Sequence, residues 1–436
     1  MTADTITAAD TRINARWLIP MEPFGVVLEH QAVILQGSRI ADVLPQSEAD
    51  QKFRTRETIN LDQHVVLPGL INLHGHTAMS LFRGMADDLP LMTWLNDHIF
   101  VSEPFVLDGT RLAMAEMLRT GTTTFSDMYF FPEVTAQVAH DVGMRAQICF
   151  PLLDNPTVWG SGPEDYLRKG ADLIAQWQHD DYIMPAIGPH APYTVSDQPL
   201  TAAVKLAEET GAALQIHLHE TAFEVDEAVK ATGKRPVARM AELGVLGPNS
   251  QYVHMTQIDD SDLEHLARAG GHIVHCPESN LKLASGFCPV QKLIDSNINV
   301  TIGTDGAASN NDLDLFGELK TAAMVAKVVA GDAAAVSAHT ALRMATINGA
   351  RALGRDHELG SLVPGKLADL IAVDLSDPFL QPVYDPASHL VYSNHGRAVS
   401  HSWIHGVPQV QDGRLTRIDV PDLMLRVSDW RNKILS

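Results

Sequence analysis

Short apolar runs alternate with segments of helical apolar spacing through the middle of the chain. One helical segment starts after Ser196, its predicted N-cap, and ends at Gly211. The apolar runs are predicted strands: Val65–Leu73, Thr122–Asp127, Arg145–Phe150, Ile183–Gly188, Ala213–Leu218, Gln251–Met255, His272–His275 and Asn299–Gly303. Their alternation with helices predicts an α/β protein built on a distorted (β/α)8 barrel, the TIM-barrel architecture.

The two ends of the chain carry a different pattern, in which short apolar runs are separated by turn residues. Ala32–Leu44 is a predicted hairpin that turns near Gly37, and the C-terminal run Ala368–Asp374 is followed by strand-like residues up to Gly413. Two β-rich pieces at opposite ends of a chain can pair into one small β-sandwich. We therefore predict a β-sandwich formed by residues 1–66 and 365–436, with a barrel inserted at 67–364.

Composition and charge narrow the class of protein. The 436 residues carry a formal net charge of −21 and are 45% hydrophobic, which is typical of a globular enzyme and disfavours nucleic acid and anionic membranes as partners. The three cysteines, Cys149, Cys276 and Cys288, are widely spaced and show no metal or disulfide pattern. We expect no transmembrane helix and a reducing, cytoplasmic location.

Residues able to do chemistry are concentrated at the predicted strand ends. The C-terminal ends of the strands are where (β/α)8 barrels place their active sites. The residues are His74 and His76 on the first strand, Asp127 on the second, His190 after the fourth, His217 and Glu220 on and after the fifth, His254 on the sixth, His275 on the seventh and Asp305 after the eighth. This pattern exceeds what chance placement gives, and it predicts an active site.

A metal site is the chemistry that these residues favour. His74 and His76 are two residues apart in a strand and therefore point to the same side. With His217 and Asp305 they form a set of nitrogen and oxygen ligands suited to a zinc-like ion, which lowers the pKa of a bound water. The fourth strand ends in His190 and not in a lysine that could bridge two ions, so we predict one metal ion.

Groups that move protons lie beside the predicted ligands. Glu220 follows His217 by three residues and can donate a proton to a substrate. His254 can orient the attacking water, with Asp305 as its partner for proton removal. For His219 we expect a lesser role, around the site and not in it. Taken singly, His217 would be interpreted as a hydrogen-bonded core residue, and a core role is the minority interpretation of His254; the joint position of these histidines favours a role in the site.

Together these motifs resemble the amidohydrolase superfamily, over nearly the whole chain. Within it, Thr77–Leu95 followed by Glu103 is most similar to the methylthioadenosine/S-adenosylhomocysteine deaminases. The superfamily motifs are Pro68–His76, His217-Leu-His-Glu220, His254, Ser279–Leu283, Gly303-Thr-Asp305 and Gly360–Leu370.

The resemblance implies a reaction and a set of substrate contacts. The reaction is hydrolytic deamination of an adenine ring, with zinc as the cofactor and with Glu220 protonating the ring nitrogen next to the attacked carbon. Glu103 is implied to bind the ribose hydroxyls, His190 to contact the substrate and Arg145 to lie near the sugar or tail. Arg168 does not align well with a second arginine of that family, which favours a small thioether tail. Barrel enzymes are commonly symmetric oligomers, so we also expect a homo-oligomer.

Three alternatives share parts of this pattern. A deaminase of a free base, such as guanine, oxidised guanine or a pterin, would use the same metal ligands but has no use for a ribose carboxylate at Glu103 or for the region of Trp94. A triazine hydrolase also shares the ligand set. A barrel kept only for interaction with other proteins is the remote alternative, because every expected ligand is present here.

Overall fold

A computed structural model of the protein describes residues 6–85, 87–88, 101–394 and 396–436. Its strands form two hydrogen-bonded sheets of eight strands each. In chain order the strands are β1 Thr7–Leu18, β2 Leu28–Gln36, β3 Arg39–Pro45, β4 Phe53–Pro68, β5 Leu70–Asn72, β6 Thr122–Met128, β7 Arg145–Leu152, β8 Ile183–Pro189, β9 Ala213–Leu218, β10 Ser250–His254, β11 His272–His275, β12 Asn299–Ile302, β13 Leu370–Asp374, β14 Val399–Ile404, β15 Val407–Gln411 and β16 Arg414–Leu415.

The strands β5 to β12 form the barrel. They follow one another in chain order, and each pairs in parallel with the next. The amide of Leu73, just past β5, donates to the carbonyl of Ile302 at 3.0 Å and so closes the sheet on itself. The predicted (β/α)8 barrel is confirmed.

Helices connect and cover these strands. Their amphipathic faces bury a continuous apolar core between helices and barrel, which includes Phe150, Ile216, Tyr252 and Phe316. In chain order the helices are α1 Gln46–Lys52, α2 Glu103–Arg119, α3 Pro132–Val142, α4 Pro163–Trp177, α5 Asp197–Thr210, α6 Ala222–Thr232, α7 Pro236–Glu242, α8 Asp260–Ala269, α9 Pro277–Lys282, α10 Val290–Asp295, α11 Leu315–Ala330, α12 Ala338–Met344, α13 Ile347–Ala352, α14 Pro386–Ser388 and α15 Val420–Leu435, with 3-10 turns at Thr77–Phe82, Pro378–Leu380 and Gly396–Ala398 and a π-helical turn at His389–Ser393.

The remaining strands come from both ends of the chain and form a separate sheet in the order β16-β15-β14-β13-β4-β1-β2-β3. β4 lies at its centre, parallel to β1 and antiparallel to β13. Apolar side chains such as Ile13, Val33, Leu370 and Trp403 pack together against one another and are fully buried. The prediction that the termini build their own β unit is confirmed, with all eight strands hydrogen-bonded into a single sheet.

The predicted first strand, Val65–Leu73, is divided between the two sheets. β4 ends at Pro68 in the terminal sheet and β5 begins at Leu70 in the barrel. Gly69 stands between them, where an added Cβ would lie 2.0 Å from Oγ1 of Thr123. The prediction of one strand is therefore wrong in this detail: both halves are apolar because both sheets are buried, and apolar content alone does not mark the change of sheet.

The C-terminal helix α15 packs on the barrel helix α2. Nε1 of Trp430 donates to Oδ2 of Asp108 at 2.8 Å, and the Trp430 ring meets that of Phe105 edge to face. Part of the segment predicted as sandwich thus contacts the barrel, and the boundaries at residues 66 and 364 remain predictions. The three cysteines are buried and unpaired. Among the described residues, the helices all fall short of the length and apolarity needed to cross a bilayer.

Candidate metal-dependent active site

Three histidine side chains and one aspartate converge at the C-terminal edge of the barrel. Nε2 of His74 lies 3.1 Å from Nε2 of His217. Oδ1 of Asp305 lies 3.2 Å from Nε2 of His76 and 3.6 Å from Nε2 of His74. All four predicted ligands are therefore brought together. His254 joins the same group, because its ring nitrogen falls within 4.8 Å of those of His74 and His217.

A hydrogen bond from Nδ1 of each ring fixes the orientation and the tautomer of the three imidazoles. Nδ1 of His74 donates to Oε1 of Gln215 at 2.8 Å, that of His76 to the carbonyl of Met128 at 2.6 Å, and that of His217 to the carbonyl of His190 at 2.7 Å. Oxygen acceptors require the proton on Nδ1, so every Nε2 is left with a free lone pair. Such lone pairs facing one point are what a divalent transition metal needs.

The backbone around Asp305 is shaped to bring this carboxylate to the histidines. Asp305 has a φ of 63°, in the left-handed region, and its amide donates to the carbonyl of His74 at 3.0 Å. Oδ2 accepts from Oγ of Ser279 at 2.6 Å, and Oδ1 accepts from the amide of Gly306 at 2.7 Å. Gly303 allows the close approach, since a Cβ there would lie 2.8 Å from the amide nitrogen of His74.

The electrostatics of the cluster favour a bound cation. Burial alone raises the pKa of Asp305, but its contacts with His74 and His76 outweigh this and hold that pKa well below its ordinary value. Burial lowers the pKa of His74 and, more strongly, that of His217. For His76 the contacts with Asp305 outweigh burial and raise its pKa. The arrangement thus contains an ionised carboxylate and, at His74 and His217, neutral imidazoles, the protonation states in which these groups bind metals.

Glu220 and His254 flank the cluster. Oε2 of Glu220 lies 3.9 Å from Nε2 of His254, whose Nδ1 donates to Oδ1 of Asn280 at 2.9 Å. Burial, together with the charge of Asp305, raises the pKa of Glu220 to about 7. A carboxyl group with a pKa near neutrality can act as a general acid at physiological pH.

Four residues at this site have unfavourable backbone conformations. Besides Asp305, the non-glycine residues His219, His254 and Met255 have φ values of 54°, 74° and 50°. Such residues cost free energy and are found chiefly where function requires them. His219 itself is turned away from the ligands: Nδ1 donates to the carbonyl of Gln257 at 2.9 Å and Nε2 accepts from the amide of Val237 at 3.2 Å. It supports the loop, in agreement with the lesser role expected for it.

The predicted substrate-binding residues do not all lie next to the predicted metal ligands. His190 ends β8 beside His217, with ring centroids 5.1 Å apart, and burial lowers its pKa to about 4, so it is neutral. Glu103 is the exposed first residue of α2, and a helix that precedes a barrel strand begins on the catalytic edge. Trp94 and the end of the Thr77–Leu95 motif lie outside the described residues.

Arg145 is not part of this edge, which corrects the expectation that it contacts substrate. It opens β7 and so lies at the N-terminal end of the barrel. Its side chain is fully buried and forms an ion pair with Asp369 at 3.0 Å. Arg168 is also remote from substrate binding, because it is exposed on α4 and pairs with Asp165 and Asp172 of the same helix.

Sequence reasoning assigned no role to several polar residues that hold the site, although two of them, Ser279 and Asn280, lie in a superfamily motif. Gln215, Ser279 and Asn280 bond to His74, Asp305 and His254, and Glu224 accepts from the amides of His219 at 2.9 Å and Glu220 at 2.8 Å. Gln215 lies two residues before His217 on the same side of β9, and this spacing could have predicted that Gln215 faces the predicted ligands. The partners of Asn280 and Glu224 depend on tertiary contacts that no local spacing reveals.

The fold and this site together define a barrel hydrolase of the metal-dependent class. The sequence pattern of the amidohydrolase family matches residues 65–408. The chain belongs to the amidohydrolase family.

Individual relatives are similar over nearly their whole length. The 5-methylthioadenosine/S-adenosylhomocysteine deaminase of Saccharophagus degradans is 52% identical over 434 residues, covering 98% of this chain and 97% of that protein. The 5'-deoxyadenosine deaminase of Methanosarcina acetivorans is 39% identical over 420 residues, covering 94% and 95%. The crystal structure of an adenosine deaminase from Xanthomonas campestris with bound zinc superimposes with a TM-score of 0.97 at 43% identity, covering 99% of both chains.

Proposed function

We propose that the protein catalyses hydrolytic deamination of the adenine ring of methylthioadenosine, S-adenosylhomocysteine or both, with adenosine as a further candidate substrate. Water adds to the carbon that bears the amino group, ammonia leaves, and the inosine analogue remains. The observation that carries the proposal is the placing of Glu220 and His254 next to each other beside a convergent set of predicted metal ligands. The deaminase names of relatives at 39% to 52% identity support it.

The proton transfers follow from the geometry. Glu220, protonated near neutral pH, donates to the ring nitrogen adjacent to the attacked carbon, which makes that carbon electrophilic. His254 orients the attacking water through Nε2, because its Nδ1 is committed to Asn280. Asp305, which is ionised in the resting site, accepts a proton from the water and passes it to the departing amino group, while the hydroxyl proton of the intermediate returns to Glu220 as the carbonyl forms. A divalent ion held by His74, His76, His217 and Asp305 supplies the positive charge that lowers the pKa of that water.

The cofactor we propose is one zinc ion per subunit. The donor set of three imidazole nitrogens and one carboxylate fits zinc, and the similar adenosine deaminase from Xanthomonas campestris has zinc bound. We also keep the prediction of a homo-oligomer, which light scattering would test directly.

We propose that the nucleoside is held by Glu103 and His190. An ionised carboxylate can accept hydrogen bonds from both hydroxyls of a ribose diol. Neutral His190, whose Nδ1 is bonded to Oγ1 of Thr194 at 2.9 Å, has Nε2 available for a substrate group. The free-base and triazine alternatives are disfavoured, because the relatives with high identity act, by name, on nucleosides.

Ammonia release with methylthioadenosine, S-adenosylhomocysteine, 5'-deoxyadenosine, adenosine, adenine and guanine tests the proposal. We expect turnover of the nucleosides and none of the free bases, with a tenfold or greater increase of KM in Glu103→Gln from the loss of a charged hydrogen bond. Glu164→Gln, an exposed acidic residue at the start of α4, is the matched control. Turnover confined to a free base would refute the nucleoside assignment while leaving the metal site standing. Absence of turnover in zinc-loaded protein would refute the catalytic proposal.

A further inference from the structure

A chain of buried amide side chains crosses the barrel interior beneath the metal ligands. It consists of Gln147 on β7, Gln251 on β10 and Gln215 on β9, each at most 2% exposed. Nε2 of Gln147 donates to Oε1 of Gln251 at 2.8 Å, and Nε2 of Gln251 donates to Oε1 of Gln147 at 2.9 Å. Nε2 of Gln215 donates to the same Oε1 of Gln251 at 2.7 Å. Barrel interiors are usually filled by apolar branched side chains, so this polar layer is unusual.

The chain has a fixed direction of hydrogen bonding. Nε2 of Gln251 also donates to the carbonyl of Ala352 at 2.9 Å, and because a carbonyl can only accept, this bond fixes the orientation of the Gln251 amide. Oε1 of Gln251 therefore faces Gln215. Nε2 of Gln215 has further acceptors in the carbonyl of Leu73 at 2.9 Å and in Oγ of Ser126 at 3.2 Å. An amide has only one oxygen, so Oε1 of Gln215 must face His74.

We infer that Gln215, held by Gln251 and Gln147, is a positioning residue that selects the metal-binding tautomer of His74. Oε1 of Gln215 can only accept, so it keeps the proton of His74 on Nδ1 and leaves Nε2 free for the metal. His76 and His217 are fixed by backbone carbonyls instead. His74 is thus the one predicted histidine ligand whose tautomer, among the described contacts, depends on a side chain. The inference rests on the metal-binding role proposed above for His74.

The test is the zinc affinity of Gln215→Met, measured by competition with a chelator of known affinity. Met fills a similar volume but cannot accept from His74, and losing such a partner weakens metal binding about 10- to 100-fold. Gln409→Met is the matched control, because Gln409 is equally buried but lies in the terminal sheet, where it donates to the carbonyl of Gly143. Nitrogen NMR of the zinc-free proteins should show Nδ1–H on His74 in the wild type and a mixture of tautomers in Gln215→Met.

Two further variants keep the test decisive if Gln215→Met does not fold. Gln215→Glu keeps an acceptor for His74 and should retain more zinc affinity than Gln215→Met. Gln251→Met touches no ligand but removes one of the acceptors that hold Nε2 of Gln215, while the carbonyl of Leu73 remains, so it should weaken zinc binding less than Gln215→Met does. A zinc affinity of Gln215→Met equal to that of Gln409→Met would overturn the inference, and if Gln215→Met does not fold, an affinity of Gln251→Met equal to that control would do the same. Failure of the wild type to bind zinc would instead overturn the metal site itself.

Discussion

Oε2 of Glu220 and Nε2 of His254 face each other at 3.9 Å, too far apart for a direct hydrogen bond. Both side chains are almost completely buried. Both lie beside the predicted metal ligands, so one reacting group bound next to both could contact them at the same time. This separation of an acid and a water-orienting base is the relationship on which the proposed reaction depends.

Replacement of Glu220 by Gln should lower kcat for methylthioadenosine by about 10²- to 10⁴-fold, the usual contribution of a general acid. The amide has nearly the same shape but cannot give up a proton. Steady-state kinetics of zinc-loaded protein measure the effect, and zinc content should stay at the wild-type level. A variant with kcat within threefold of the wild type would show that another group protonates the ring.

The activity should depend on pH through the same residue. Burial raises the pKa of Glu220 to about 7, and the protonated form is the active one. The value of kcat/KM should therefore be level below pH 7 and fall with increasing pH above it, approaching tenfold per unit. In Glu220→Gln the residual activity should lack this decline. A rise of kcat/KM across pH 7 to 9 in the wild type would contradict the assignment of Glu220 as the acid.

Asn280 should matter because it fixes the ring of His254. In Asn280→Leu the Nδ1–H of His254 loses its acceptor, so the other tautomer becomes accessible and the ring is free to turn. We expect kcat to fall about 10- to 100-fold with zinc affinity unchanged. Asn280→Asp keeps an acceptor at the same position and is the matched control. Equal losses in both variants would indicate a packing effect and not control of the tautomer.

Substitution of Arg145 tests whether this residue stabilises the fold or binds substrate. Arg145→Met leaves the buried carboxylate of Asp369 without its partner, which should cost about 3 to 5 kcal/mol of unfolding free energy. KM of the folded enzyme should not change. Arg168→Met, in an exposed helix, should alter neither quantity. Denaturant unfolding gives the free energy of unfolding, and steady-state kinetics at the same temperature give KM. If KM increased in Arg145→Met but not in Arg168→Met, a role of Arg145 in substrate binding would be restored.

The barrel, and the meeting of the four proposed ligands at one of its edges, were predictable because both follow from local spacing. The alternation of side chains in a strand places His74 and His76 on one side, and the order of strands in a barrel brings His217 and Asp305 to the same edge. The misplaced residue, Arg145, begins its strand, and its position along the strand indicated the opposite edge. It was assigned from resemblance and not from spacing.

The remaining features depend on contacts between distant residues. Asn280 reaches His254 from a different strand end, and Gln215 is oriented by Gln251 and Gln147 across the barrel. Gly69 separates two sheets whose strands have the same apolar composition. Hydrophobic periodicity reports whether a side is buried but not which neighbour buries it, so these relationships appear only in the folded chain.

The pairing of β4 with β13 constrains the order in which the chain can fold during translation. Pro68 lies opposite Leu370, and all the barrel strands are translated between these two residues. As the chain leaves the ribosome, one edge of β4 stays open until the last segment emerges, while β1 covers the other. An open apolar strand edge invites wrong pairing, so the slow step of biosynthesis should be the capture of β13 by an otherwise finished molecule.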